Sequence, residues 1–197
     1  RIYYVAFTWD HFKDDLLSVF NLRSGGMAIY GSLIGGFVTG MIYARARRIR
    51  LQTLCDLAAP AIALGQAIGR WGNFFNQEAY GVAISNARFQ FFPAAVWIED
   101  QSGWFAATFF YESAWCFLIV LFLLIAERRG FFRRPGEEFL WYVTLYAFER
   151  MLVEGLRTDS LYWGPIRVSQ ALSLALFIAG AVAIVLLRRR ANRTKED

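Results

Sequence analysis

Apolar residues run through the chain in five long blocks, at about 27–44, 53–70, 106–126, 139–154 and 168–187, separated by shorter polar or basic stretches. A helix needs roughly 20 mostly apolar residues to cross the hydrocarbon core of a bilayer. Each block therefore predicts a helix that spans the membrane or nearly does. The whole predicts an all-α, polytopic integral membrane protein with one transmembrane domain over residues 1–197.

The stretches between blocks alternate in charge. Arg45, Arg47, Arg48 and Arg50 follow the first block, Arg128, Arg129, Arg133 and Arg134 the third, and Arg188, Arg189, Arg190, Arg193 and Lys195 the fifth. Lys and Arg collect on the cytoplasmic side of membrane proteins, so these segments, with the tail 188–197, are expected inside. Strict alternation then puts 1–26 (a loop over 8–26), 71–105 and 155–167 outside. Trp104, Tyr111, Trp141, Tyr162 and Trp163 fall near block ends, as an interfacial aromatic belt requires. The first outer loop carries an amphipathic piece, His11 to Phe20, and ends in a Gly25-Gly26 break. Residues 82–105 are aromatic, polar and too irregular to span; they are expected to lie along the membrane surface as an arm over a site.

Composition agrees with the pattern: 57% hydrophobic and 18% aromatic residues, mean hydropathy +0.34 and net charge +5 exclude a soluble globular domain. Cys55 and Cys116 both sit in apolar runs, so neither a disulfide framework nor a metal site is expected. The sequence has no P-loop, GxSxG elbow, HExxH or CxxC, and no repeat of the kind transporters show. No metal, organic cofactor or nucleic-acid partner is expected. His11 is the only histidine and reads as a surface residue.

The chemistry starts where polar groups interrupt an apolar block. Gly69 to Gly81 packs Arg70, Asn73, Asn76, Gln77 and Glu78 behind the apolar run Leu54 to Ile68. An ionisable group at the bilayer centre costs at least roughly 2.5–3.5 kcal/mol. Spacings of three and four put Arg70, Asn73, Asn76 and Gln77 on one helical face. Gly65, Gly69 and Gly72 leave a narrow side that another helix could approach. Two readings stay open: a functional site, or a helix end at the interface with Arg70 snorkelling to headgroups and the asparagines capping the chain. A second stripe, Tyr146, Arg150, Glu154 and Arg157, lies within about 80° of one face. It reads as a site or as a structural ion-pair ladder whose alternating charges lower the cost of burial.

Gly69-Arg70-x-Gly72-Asn73-Phe74-x-Asn76-x-Glu78-x-x-Gly81 resembles the pattern of prolipoprotein diacylglyceryl transferases, with eight fixed positions in thirteen. Further matches follow along the chain. Tyr30-Gly31-Ser32 resembles the family's His-Gly-Gly or Tyr-Gly-Gly, and Thr108 with Tyr111-Glu112 resembles its His-(Pro/Ala)-Thr-x-x-Tyr-Glu, with Ala106 where histidine is common. Tyr146-x-x-x-Arg150-x-x-x-Glu154-x-x-Arg157 also matches, as does Gly164-Pro165-Ile166-Arg167-Val168-Ser169-Gln170-x-x-Ser173. The family's chains start earlier, so Arg1 to Phe7 is expected to be the end of a helix whose beginning, with a whole first helix, precedes Arg1.

The resemblance implies transfer of the diacylglyceryl group from phosphatidylglycerol to the lipobox cysteine thiol of a prolipoprotein signal peptide. That reaction makes a thioether and releases glycerol phosphate at the outer face of a bacterial membrane. It implies Arg70, Arg150, Tyr30 and Glu78 as catalytic groups. Arg70, Asn73, Asn76, Gly81, Glu112, Tyr146, Glu154 and Arg157 are implied to hold substrate. A phenol titrating near pH 10 is a poor base at pH 7, so Tyr30 is expected to orient rather than deprotonate. A transporter or lipid flippase, whose pathway is also lined by intramembrane Arg and Glu, and an inactive family member are the alternatives.

Overall fold

The computed structural model describes residues 1–158, 162–163 and 166–193. Gly164, Pro165 and the end of the tail, Lys195 with it, lie outside the described residues. The chain divides into two compact units, Arg1–Leu54 and Cys55–Asp197.

In the first unit, α1 (Ile2–Phe7) and α2 (Ile29–Arg47) are joined by 3₁₀ turns at Trp9–His11, Leu16–Phe20 and Leu22–Ser24. These turns replace the continuous amphipathic piece expected from His11 to Phe20. Asp15 interrupts it and Asn21 ends it, each accepting a hydrogen bond from the backbone N–H two residues on, the local competition with helix that short polar side chains offer. Arg1 gathers the loop by donating to the carbonyls of Val19, Gly25, Gly26 and Ser18 at 2.6–2.9 Å. The glycine break is where the sequence put it. Gly25 and Gly26 have φ of 77° and 73°, and a Cβ on Gly26 would lie 2.7 Å from the Tyr4 ring.

The second unit is mostly helical. It is built from α3 (Leu51–Phe75, from Cys55 on), α4 (Thr108–Arg128), α5 (Glu137–Glu154) and α6 (Val168–Arg193), with hairpins β1 (Ala95–Ile98)–β2 (Gly103–Ala106) and β3 (Tyr162–Trp163)–β4 (Ile166–Arg167). Among the described residues, α3, α4 and Val168–Arg189 of α6 are long and apolar enough to cross a membrane, with mean hydropathies of 1.2, 2.2 and 2.4. α2 and α5 form at their predicted blocks without reaching that combination of length and apolarity. The block at 106–126 starts two residues before its helix, because Ala106 closes β2 and Ala107 is the N-cap. Residues 82–105 are more ordered than their sequence suggested. β1 and β2 pair antiparallel with Trp97 opposite Trp104, their rings 5.9 Å apart.

The core of this unit joins Ala59 and Ala63 of α3, Ile119, Val120 and Leu123 of α4 and Tyr142 of α5. Of the two cysteines in apolar runs, Cys116 is fully buried and Cys55 is half-buried. The N-terminus of α5 is held by charges from two other helices. Asp56 of α3 accepts from Gly136 N (2.5 Å) and Phe139 N (2.9 Å), and Glu137 accepts from Arg133 N (2.7 Å) and from Arg188 Nε of α6 (2.6 Å). The Arg188 guanidinium lies 4.3 Å from the centre of the Phe131 ring. Asp56 thus does for α5 what an N-cap side chain usually does for its own helix. Asp56→Ala leaves two helix N–H groups without an acceptor and is expected to destabilise the protein by about 1–3 kcal/mol. Thermal unfolding in detergent measures this, and an unchanged midpoint would contradict the trans-capping role.

Candidate active site

The arginines of the two stripes meet at Glu112, early in α4 and 1% exposed. Its Oε2 pairs with Arg70 Nη2 from α3. Its Oε1 receives Arg150 Nη1 from α5 at 3.1 Å and lies 3.6 Å from Arg157 Nη1. Arg150 reaches on to Glu154 Oε2 with Nη2 at 2.8 Å, the i,i+4 spacing read from the sequence. Arg70 Nη2 also lies 3.5 Å from the Tyr146 hydroxyl. Three guanidiniums, one from each of two helices and one from the chain just past α5, therefore converge on one carboxylate. Their side chains remain 22%, 19% and 12% exposed, and so within reach of a ligand. Guanidinium N–H groups match carboxylate and phosphate oxygens in pairs. The arrangement is a cluster of cations gathered on an internal anion.

The other expected residues fall differently. α3 ends at Phe75, so Asn76 and Gln77 do not continue the helical face of Arg70 and Asn73. The chain turns there instead, with Gln77 and Ala79 at φ of 51° and 55°. Gln77 Oε1 accepts from Glu99 N (2.8 Å), and Ala79 O accepts from Thr108 Oγ1 (2.7 Å), tying the turn to the β1–β2 hairpin and to α4. Asn73 is half-buried, one turn beyond Arg70. Asn76 and Glu78 are exposed, and Asn76 Nδ2 donates to Glu78 Oε1 at 3.1 Å. Among the described residues, Glu78 is not paired with a guanidinium of the cluster. Among the described residues, a Cβ at Gly65, Gly69 or Gly72 would meet no atom within 4 Å, so the close helix approach expected along them is not made there. α3 is instead fastened to α4 by polar bonds: Ser113 Oγ donates to Ala67 O (2.7 Å) and accepts from Trp71 Nε1 (3.1 Å). Tyr30 belongs to the first unit, 64% exposed at the start of α2. His11 is exposed on a 3₁₀ turn, in line with its reading as a surface residue.

Gly81 has a packing reason to be glycine, independent of any substrate. Its N–H donates to Ala106 O (2.9 Å), and it bridges to Arg157. A Cβ there would lie 2.8 Å from Ala106 Cβ, 2.9 Å from Thr108 Cγ2 and 3.1 Å from Leu156 O. This strand contact carries the chain past β2 to the segment that presents Arg157. Gly81→Ala is expected to cost about 1–3 kcal/mol through overpacking and to lower activity with it. A thermal midpoint equal to that of the parent would refute the packing account.

Sequence reading passed over Glu149. It precedes Arg150 on α5, is 4% exposed, and has neither carboxylate oxygen hydrogen-bonded. The signal was available, since it is a carboxylate inside an apolar block.

These features define a helical membrane protein with three partly exposed guanidiniums gathered on one buried carboxylate. The chain belongs to the prolipoprotein diacylglyceryl transferase family, whose model matches residues 1–186. It is similar to the phosphatidylglycerol-prolipoprotein diacylglyceryl transferase of Bacillus cytotoxicus, with 41% identity over 99% of this chain and 73% of that protein. The enzymes of the same name from Enterococcus faecalis (43% identity; 98% and 71% covered) and Listeria monocytogenes (44%; 96% and 69%) are comparably similar.

Proposed function

We propose that this protein transfers the diacylglyceryl group of phosphatidylglycerol to the thiol of the lipobox cysteine in a prolipoprotein signal peptide. The products are a thioether and glycerol phosphate. Family membership and the names of its relatives support the transferase activity and both substrates, and they do not favour a transporter or flippase. The observation that carries the mechanism is the convergence of Arg70, Arg150 and Arg157 on Glu112.

The thiol attacks the glyceryl carbon and the phosphate leaves with the electrons of the C–O bond, so negative charge grows on phosphate in the transition state. Cations fixed before the reaction stabilise that charge without reorganising. Arg70 and Arg150 grip the phosphate, trading part of their bonding to Glu112 for bonding to substrate. Arg157, Glu154 and Tyr146 hold them in place. Asn73, Asn76 and Glu78 line the approach on the outer side, and Tyr30 orients substrate. An apolar groove between α3 and α4, with Leu64, Ile68, Trp71, Phe110 and Phe117 along it, suits acyl chains arriving through the bilayer. In this reading all five blocks cross a bacterial plasma membrane as a single catalytic domain. The basic segments and the C-terminus are cytoplasmic, the site lies toward the outer face, and residues 82–105 form an arm over it.

The test is direct. The full-length enzyme, incubated with vesicles containing labelled phosphatidylglycerol and a lipobox peptide, is expected to yield thioether-linked labelled peptide and glycerol phosphate. Absence of the lipidated peptide would overturn the reading. Orientation is checked separately: with Cys55 and Cys116 replaced by alanine, Ser102→Cys is expected to react with an impermeant thiol reagent outside intact cells, and Arg129→Cys is not. Labelling of Arg129→Cys would invert the topology.

A further inference from the structure

The proposed reaction leaves one proton without a destination, and beside the cluster stands a carboxylate without a partner. Glu112 is occupied by three guanidiniums, Glu154 by Arg150, and Glu78 by Asn76. Glu149 is 4% exposed with both oxygens unbonded among the described residues. On α5 it directly precedes Arg150 and stands three residues after Tyr146, the spacing of neighbours on a helix surface, so it borders the cluster. The apolar stretch of α6, Val168 to Leu187, brings no titratable side chain. Glu149 thus sits beside the groups assigned to the phosphate, and among the described residues no cation is bonded to it.

Resting on the transferase reading above, we propose that Glu149 is the proton acceptor for the attacking thiol. The S–H bond breaks and its proton passes to a Glu149 carboxylate oxygen, while the sulfur electron pair forms the S–C bond to the glyceryl carbon. The C–O bond to phosphate breaks with its electrons on the phosphate oxygen. The proton then leaves with glycerol phosphate, a monoester whose second ionisation near pH 6 lets it carry one. A carboxylate oxygen with no donor is open to the thiol hydrogen, and both oxygens of Glu149 are in that state among the described residues. Glu112 and Glu154 are already paired with guanidiniums, which separates the roles of three carboxylates in one cluster.

The experiment uses the full-length enzyme with labelled phosphatidylglycerol vesicles and two peptides, one with the lipobox cysteine and one with selenocysteine in its place. The selenol is already ionised at neutral pH and needs no acceptor. Glu149→Gln keeps the shape and cannot take up a proton. It is expected to lower kcat for the cysteine peptide by about 10²–10⁴-fold with KM nearly unchanged, and to flatten the acid limb of the pH profile. With the selenocysteine peptide it is expected to approach the parent rate. The selenium-to-sulfur rate ratio within one preparation does not depend on how much of the variant is folded, so it is the deciding number. A ratio equal to that of the parent overturns the proposal. So does loss of activity with both peptides, because removal of an acceptor alone leaves the selenol route open. A parent enzyme that lipidates neither peptide would instead refute the transferase reading itself.

Discussion

Glu112→Gln is expected to lower kcat by at least about a hundredfold while KM for phosphatidylglycerol stays level or falls. The carboxylate is 1% exposed and holds Arg70, Arg150 and Arg157 in one place. An amide of the same shape leaves three like charges facing a neutral group. Removing one partner from a buried ion pair costs about 3–5 kcal/mol. The lower end applies here, since water reaches the guanidiniums in part, and the thermal midpoint should fall accordingly. The affinity argument runs the other way. If the cluster grips phosphate as proposed, Glu112 competes with the substrate for the same N–H donors, so its loss removes a competitor while scattering the donors that the proposed catalysis needs aligned. A split between kcat and KM is therefore the signature, measured with labelled phosphatidylglycerol at saturating peptide. Parent-like kcat in the variant would mean that Glu112 does not organise the cluster.

The helices were legible because the physics that forms them is local. A block of apolar residues near membrane-spanning length has one economical solution in lipid, which is to satisfy its backbone internally as a helix. The pairing of Arg150 with Glu154 was likewise present in their i,i+4 spacing. What failed was the reading of residues that follow a helix end. Asn76 and Gln77 continue the periodicity of Arg70 and Asn73 on paper, but α3 stops at Phe75 and the next turns use positive φ at Gln77 and Ala79. Neither residue advertises that conformation, which favours Gly, Asn and Asp. The four-residue strands of β1 and β2 were hidden among aromatics in a loop, since only cross-strand pairing distinguishes them from coil. The hub role of Glu112 was least visible of all. Its partners come from α3 and from α5 and the segment after it, and no local spacing reports a contact that three separate segments make together.

Arg70→Lys separates charge from geometry. The positive charge is kept, so burial and the balance with Glu112 change little, and the thermal midpoint should stay within a few degrees of the parent. What is lost is the planar fork. Arg70 faces Glu112 Oε2 and the Tyr146 hydroxyl from one nitrogen, which leaves its other N–H groups to grip a phosphate. A lysine ammonium is a compact point charge on a flexible stem, so it either stays with Glu112 or follows the phosphate. Loss of one preorganised donor to a developing oxyanion costs about 10²–10³-fold in kcat, and Arg70→Lys is expected to fall in that range, with Arg70→Ala lower still. The comparison is made on kcat/KM at matched folded fraction, read from the thermal transition of each variant. An Arg70→Lys enzyme that keeps most of the parent rate would show that Arg70 supplies charge alone. The two-pronged grip would then have to come from Arg150, which already spans Glu112 and Glu154 with its two terminal nitrogens.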